Sequence, residues 1–385
     1  MIVEPKVRGF ICTTAHPAGC RENVKRQIKY VQNAGKTDGP KRVLVIGSST
    51  GYGLASRIAA TYACDAKTIG VMFEKEAVAV KNRTATPGWY NTKAFEEIAL
   101  TDGYYAKSVN GDAFSNDIKA ETISLIKEDL GQVDMVIYSL ASPRRTAPDG
   151  ITYTSTLKTI DCDFTNKSLN LRNNEVGEAT IHPANEEEIS STIKVMGGED
   201  WLLWIDALKK ADVMAEHAVT IAYSYIGPEL TYPVYYNGTI GMAKKHLYDT
   251  SIAIEQKYPD TKAYISVNKA LVTQSSAAIP IVPLYIAIMY KVMKMENVHE
   301  GCIEQMTRMF HEKLSDNIAV DEMNRIRLDD WEMRSDIQSK IMEYWDQVNT
   351  DNLHEMADID GYWVDFYHMF GFKFNNVNYK ADVEV

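Results

Sequence analysis

Residues 41–60 read KRVLVIGSSTGYGLASRIAA: an apolar run ending at Gly47, three polar residues (Ser48, Ser49, Thr50), then Gly51, Tyr52 and Gly53 leading into a helix-like stretch. A tight turn out of a strand, a backbone that approaches a pyrophosphate and a helix packed close against its strand each call for a missing Cβ. The N–H groups that open the following helix have no partners inside it and can hold phosphate oxygens. The glycines alone also fit an ordinary strand-to-helix turn, so the reading depends on what surrounds them.

What surrounds them is a regular alternation. Apolar, β-rich runs lie at residues 43–47, 68–73, 106–110, 134–141, 219–226 and 263–268, and helix-like stretches at 53–62, 92–101, 115–130, 200–211 and 239–256 fall between them. Continuous apolar strands separated by helices are the mark of a parallel sheet covered on both faces. The expected class is therefore α/β, a Rossmann-type doubly wound parallel sheet. The G-x-x-x-G-x-G spacing suits an enlarged short-chain dehydrogenase-like fold better than G-x-G-x-x-G does. Three regions exceed a minimal dinucleotide fold. They are the N-terminal segment before Val43, a polar insertion at about 151–191 expected to carry short strands, and amphipathic helices after Met306, including 335–348, with an aromatic, turn-rich tail at 361–379. No linker or repeat divides the chain, so residues 1–385 are read as one domain: a core at about 42–275, substrate-side helices at about 276–310 and an accessory segment at about 311–385.

Composition narrows the function. The balance of 52 acidic against 41 basic residues gives a net charge of −11, which disfavours nucleic acid as a partner. Five scattered cysteines and an N-terminus without a basic-then-apolar leader predict a reduced, cytoplasmic protein. The most apolar stretch, 277–293, is broken by Pro280 and Pro283 and is too short to span a membrane.

Glu74 ends the second strand 21 residues after Gly53. A carboxylate there accepts hydrogen bonds from both adenosine ribose hydroxyls and repels a 2′-phosphate, so NADH is expected over NADPH. The adjacent Lys75 softens that preference, and a solvated charge at a strand end is the plain alternative. Asp112, in NGDAF, is placed to meet the adenine, although Gly-Asp also simply makes turns. Leu140 and Ala141, at the end of the fourth strand, should lie along the cofactor, because ligands bind beyond the carboxyl ends of such strands.

After the fifth strand comes SYIGPELTYPVYYNGTIGMAKKHL, with Tyr235 and Lys244 nine positions apart. A phenol can donate a proton at a carbonyl oxygen while a nearby ammonium lowers the phenol's pKa and holds a ribose. At ~100° per residue, nine positions put the two on opposite faces of any one helix. Tyr235 is therefore expected before a helix that starts after Asn237-Gly238, with Lys244 one to two turns inside it. Within this stretch no tyrosine is followed by a lysine four positions on, which argues against a standard ketoreductase.

With these motifs in hand the chain resembles the trans-2-enoyl-CoA reductase family, also known as the FabV class of enoyl-acyl-carrier-protein reductases. The resemblance covers essentially the whole chain, through VRGFICTTAHPAGC, GPKRVLVIGSSTGYGLASR, GWYN, NGDAFS, YSLASPRRT, VMGGEDW, AYSYIGPE, Tyr-x8-Lys, ALVTQSSAAIPIVPLY, KVMK, HEGCIEQ and GYWVDF. It implies NADH-dependent conjugate reduction of a trans-2-enoyl thioester of CoA or acyl-carrier protein. In that reading Tyr235 is the proton donor, Lys244 binds NADH, and Tyr225 contacts substrate. It further implies that Gly47, Ser48, Ser49, Thr50, Gly51, Tyr52, Phe73, Glu74, Asp112, Ala113, Leu140 and Ala141 contact the cofactor, and that Leu271, Val272 and Thr273 line its nicotinamide end. A monomer needing neither metal nor flavin is implied as well. The run 277–294 reads as a Pro-bounded helix, apolar nearly all round, that packs in the core and, by the resemblance, walls an acyl pocket.

Other residues carry plainer readings. Cys12-x3-His16-x3-Cys20 offers metal-type ligands, but Pro17 interrupts a helix and no fourth ligand is evident. HEGC at 299–302 lacks the second histidine of a zinc-protease helix. Arg144 and Arg145 could attract a CoA phosphate or form a solvated pair. Three other readings are an NAD-sensing regulator, which needs neither Tyr235 nor Lys244, a methyltransferase, whose glycine turn differs, and a ketoreductase.

Overall fold

The computed structural model describes the chain except residues 9–10, 79, 81–82, 274–275, 277–278 and 315–317. Its elements run β1 (Val7–Arg8), β2 (Ile11–Cys12), α1 (Pro17–Ala34), β3 (Arg42–Ile46), α2 (Gly51–Cys64), β4 (Lys67–Met72), α3 (Pro87–Thr101), β5 (Ala106–Asn110), α4 (Asn116–Asp129) and β6 (Val133–Tyr138). The insertion follows with β7 (Arg144–Thr146), β8 (Thr152–Thr154), β9 (Phe164–Asn170), β10 (Glu175–Ile181) and α5 (Glu186–Met196). Then come α6 (Glu199–Lys210), β11 (Met214–Ser224), α7 (Thr239–Lys257), β12 (Lys262–Val267), α8 (Val282–Met295), α9 (Cys302–Arg308), β13 (Arg325–Arg327), α10 (Ser335–Gln347), α11 (Leu353–Met356) and α12 (Ile359–His368).

Seven strands form one sheet in the order β13-β12-β11-β6-β3-β4-β5, every neighbouring pair parallel. Because strand side chains alternate between faces, Val43 and Val45 of β3 join a core with α1, α2, α3 and α9, while Leu44 and Ile46 join one with α4, α6 and α7. The sheet is doubly wound, as the alternation predicts. Chain order reverses between β3 and β6, and that crevice is where ligands of such sheets sit. A third apolar cluster lies on the substrate side. It joins α8 to Leu169 and Ile181 of the β9–β10 hairpin, to Ile337, Ile341 and Trp345 of α10, and to Tyr362 and Phe366 of α12. A helix that is apolar all round must be enclosed on all sides, and residues 281–290 are buried without exception.

Several expectations change. β13 is a seventh strand that the sequence does not announce: in its three residues only Ile326 points inward, between two arginines. β11 begins at Met214 rather than Val219, since a register shift between those residues exposes Glu216 and His217 and hides the alternation. Pro17 does not interrupt a helix but opens α1, at a position where no N–H is needed. The Nδ1 of His16 accepts the Gly19 N–H at 3.2 Å and caps that helix. Among the described residues no cluster of His, Cys, Asp or Glu is arranged to hold a metal. Arg145 is neither solvated nor open to a phosphate: it is 1% exposed and bonds the Lys194 carbonyl and Glu199 at 2.6 and 2.7 Å. The aromatic tail begins as the helix α12 and becomes turn-rich only beyond His368. The expected helix 277–294 starts at Val282, and its first two expected residues lie outside the described ones.

Candidate active site

The phosphate end is shaped by backbone. The Gly47 and Ser48 N–H groups and the Ser48 hydroxyl all donate to the Val71 carbonyl, at 2.9, 3.0 and 3.2 Å, which pins the turn to the end of β4. Gly47 has φ of +84° and Gly51 of +55°, conformations that cost a side-chain-bearing residue. A Cβ on Gly47 would lie 2.6 Å from the Ser139 carbonyl, and one on Gly53 only 1.8 Å from the Gly47 carbonyl. Thr50 precedes α2 in extended conformation and its side chain does not cap the first N–H groups of that helix. A glycine cradle that any Cβ would fill, at an uncapped helix N-terminus, fits a dinucleotide pyrophosphate.

Glu74 is held for its neighbour. Asn110 clamps its backbone by accepting the Glu74 N–H at 2.8 Å and donating to its carbonyl at 3.0 Å. Its carboxylate takes the Ser49 hydroxyl at 2.6 Å, and Gly88 at the start of α3 leaves it room, for a Cβ there would sit 2.1 Å from Oε1. Phe73 beside it is 75% exposed, an apolar ring open to a ligand face. Asp112 caps its own turn by accepting the Phe114 N–H at 3.0 Å. The Ala113 carbonyl receives the buried Lys119 ammonium and the Trp204 indole, at 3.0 and 3.1 Å. Leu140 is half-buried against Gly47 and Ala141 is exposed, both just past the end of β6. Tyr52 differs in kind. Its hydroxyl donates to the Lys269 carbonyl at 2.8 Å and accepts from Gln305 at 2.7 Å, so it ties α2 to the loop after β12.

The other end is wired through side chains. Tyr235 sits in the turn before α7 and Lys244 is the sixth residue of that helix, as the spacing predicts. The close approach depends on Gly241, where a Cβ would lie 2.5 Å from the Tyr235 carbonyl and 1.9 Å from that of Tyr236. The Lys244 ammonium donates to the Tyr223 carbonyl near the end of β11 at 3.1 Å, and burial lowers its pKa to about 8. Two residues on, the Tyr225 ring meets that of Tyr235 edge to face with centroids 5.0 Å apart. The Tyr235 hydroxyl bonds no described residue. Burial, followed by the charge of Glu332, raises its pKa, contrary to the expected lowering by lysine; Lys244 is turned to a backbone carbonyl instead. A phenol that keeps its proton can serve as a hydrogen-bond donor. Leu271 and Val272 are buried, and Thr273 and Ser276 bond each other's backbone N–H groups at 2.9 and 2.8 Å, shaping the loop after β12.

These features match known proteins over the full length. A family model described as "Trans-2-enoyl-CoA reductase catalytic region" matches residues 83–315, and one described as "NAD(P)H binding domain of trans-2-enoyl-CoA reductase" matches residues 2–79. The chain belongs to the trans-2-enoyl-CoA reductase family. It is 58% identical to an enoyl-acyl-carrier-protein reductase (NADH) of Flavobacterium johnsoniae, over 99% of this chain and 97% of that one. It is 54% identical to a trans-2-enoyl-CoA reductase (NADH) of Ruminiclostridium cellulolyticum, over 100% and 98%. The crystal structure of the Treponema denticola trans-2-enoyl-CoA reductase in complex with NAD superposes with a TM-score of 0.96 at 47% identity, covering 100% of this chain and 98% of that one.

A third model, described as "Enoyl reductase FAD binding domain", matches residues 320–383. The residues there do not fit a flavin dinucleotide. Among those described, no strand runs into a glycine turn at a helix N-terminus; the N-terminus of α12 is already capped by the Asp358 carboxylate and that of α10 carries Asp336. The aromatic residues Tyr362, Phe366 and Phe370 are packed into the core around α8. The segment contributes Glu332 instead, which sequence reading misses. In DDWEMR that residue looks like part of a solvated acidic run, yet it is fully buried and reaches Tyr225.

Proposed function

We propose that this chain is an NADH-dependent reductase of trans-2-enoyl thioesters, carried by CoA (as in crotonyl-CoA) or by acyl-carrier protein, serving fatty acid synthesis or butyrate-type fermentation. The observation that carries the proposal is that the glycine cradle at the end of β3 and the segment bearing Tyr225, Tyr235 and Lys244 after β11 lie at the carboxyl ends of two parallel strands that both flank β6. Bound NADH supplies a hydride to the β-carbon of the substrate. The cradle and the open N-terminus of α2 hold the pyrophosphate, Glu74 accepts from the adenosine ribose, and the ammonium of Lys244 holds the second ribose. Charge then develops on the thioester oxygen, and Tyr235, whose proton no described residue takes up, donates a hydrogen bond to it in a site with little water to compete; a proton taken up at the α-carbon, from that phenol or from solvent, completes the saturated thioester. Leu271, Val272 and Thr273 shape the wall beside the reacting carbon.

The chain works as one unit, its N-terminal segment, insertion, substrate-side helix and C-terminal segment sharing one apolar cluster; a monomer in the cytoplasm is part of the same reading. Among the described residues no helix is long and apolar enough to cross a membrane. The test is NADH oxidation with crotonyl-CoA, then with hexenoyl and decenoyl thioesters, and with acetoacetyl-CoA as the ketoreductase control. Oxidation that depends on crotonyl-CoA and is absent with acetoacetyl-CoA is expected. NADH binding without turnover of any enoyl thioester would overturn the reading in favour of a sensor.

A further inference from the structure

Glu332 lies between β13 and α10, 0% exposed, and its two carboxylate oxygens meet three donors. Oε1 receives the Tyr285 hydroxyl at 2.6 Å and the Tyr225 hydroxyl at 3.3 Å, and Oε2 receives the Ala270 N–H at 2.9 Å. The direction of these bonds is fixed from outside. Gln338 of α10 donates to the Tyr285 oxygen at 3.3 Å and to the Glu332 carbonyl at 2.7 Å, so the Tyr285 proton points at Glu332. A backbone N–H occupies the other oxygen. Burial raises the Glu332 carboxyl, and the ammonium of Lys269, together with the bonds from Tyr285 and Ala270, opposes that rise. A buried carboxylate stays only where such donors and a cation compensate its desolvation.

Tyr225 has one hydroxyl proton, and this geometry directs it to Glu332. We propose that Glu332 is a positioning residue of the substrate site: by holding the Tyr225 hydroxyl it fixes the edge-to-face Tyr225–Tyr235 pair so that Tyr235 is the phenol whose proton is free for the ligand. The inference rests on the reading of Tyr235 as donor to the thioester oxygen. It gives the C-terminal segment a task at the reacting end, and it makes Tyr225 a residue that shapes the pocket with its ring and its oxygen lone pairs rather than a second proton source.

The test is a double-mutant cycle of Glu332→Gln with Tyr225→Phe, read as kcat and KM for crotonyl-CoA and Kd for NADH. Glu332→Gln alone is expected to lower kcat about 10- to 100-fold, the range of a lost hydrogen bond to a charged group, with Kd for NADH changed about 2-fold or less. In the Tyr225→Phe background the same substitution should cost about 3-fold or less, because its route to Tyr235 is already gone. An equal loss in both backgrounds, or a collapse of NADH affinity, would mean that Glu332 only supports the fold and would overturn the inference. If Glu332→Gln does not melt cooperatively, Glu332→Asp, which keeps the charge but is one methylene shorter, runs through the same cycle with the same criteria. Failure of the underlying reading is recognised separately: a wild type inactive on crotonyl-CoA, or a Tyr235→Phe variant with full activity, removes the reaction itself and the inference with it.

Discussion

The two ends of the site are built on opposite terms. At the phosphate end, residues 47–53 make their shape from backbone bonds and from the absence of Cβ atoms, and the partners lie within neighbouring strands. At the reacting end, Tyr225 and Tyr235 from one connection, with Ala270, Tyr285 and Glu332, come from four separate stretches of chain and meet through buried polar side chains. Sterics decide the first and hydrogen-bond wiring the second. Damage at the first end should therefore appear as lost binding with the chemistry intact, and damage at the second as lost chemistry with binding intact.

The sharpest way to break that contrast is Tyr235→Phe. Removing the one phenolic donor should lower kcat by at least about 100-fold, while NADH titration by fluorescence gives an unchanged Kd. A comparable loss of NADH affinity would show that the two ends are not separable. The mirror experiment is Gly53→Ala. Its Cβ would stand 1.8 Å from the Gly47 carbonyl, so the turn must shift, at a cost of about 1–3 kcal/mol in stability. Kd for NADH should rise by more than about 10-fold as the cradle shifts, with kcat at saturating NADH reduced far less.

This contrast also explains what could be read from the chain. The strand-glycine-helix turn, the alternation of six strands with helices, and the break at Asn237-Gly238 that separates Tyr235 from Lys244 are all local, and local periodicity and turn chemistry reveal them. β13 has a single inward residue and no period to detect. The fate of Arg145 depends on Glu199 and the Lys194 carbonyl, more than forty positions away, and Glu332 looks like surface charge until Tyr285 and Ala270 are brought to it. The raised pKa of Tyr235 was equally out of reach, because burial sets it and burial belongs to the assembled site.

A smaller effect tests how tightly Glu74 is seated. The carboxylate accepts from Ser49 and has space only because Gly88 lacks a side chain. Glu74→Ala should lower the preference for NADH over NADPH about 10-fold, the scale of one charge-assisted hydrogen bond. Gly88→Ala, which leaves Glu74 in the sequence but pushes its carboxylate aside, should move the ratio of kcat/KM values in the same direction by a smaller factor. If Gly88→Ala leaves the ratio unchanged while Glu74→Ala shifts it, the carboxylate relaxes freely and its seating is not part of the specificity.

Lys244 stands between the two ends, and its pH behaviour is the finest probe of how they connect. Burial lowers its pKa from 10.5 to about 8, with the Tyr223 carbonyl as its bonded partner. Below about pH 8 the free enzyme carries the ammonium proposed to hold the ribose; as pH rises through that value the proton leaves. Kd for NADH should therefore be flat on the acid side, about 2-fold weaker at pH 8, and progressively weaker above it. The contribution of the same group to folding has the opposite sign. Between about pH 8 and 10.5 the unfolded chain binds the proton and the folded chain does not, so this lysine makes the protein more stable as pH rises across that window. The dinucleotide's negative charge favours the ammonium, so the alkaline limb of kcat, which reports the bound enzyme, should lie at higher pH than the limb in kcat/KM for NADH. Coincident limbs would place the titration elsewhere than at Lys244. A binding limb that persists in Tyr235→Phe would keep it there, because the phenol's own proton stays bound throughout this range.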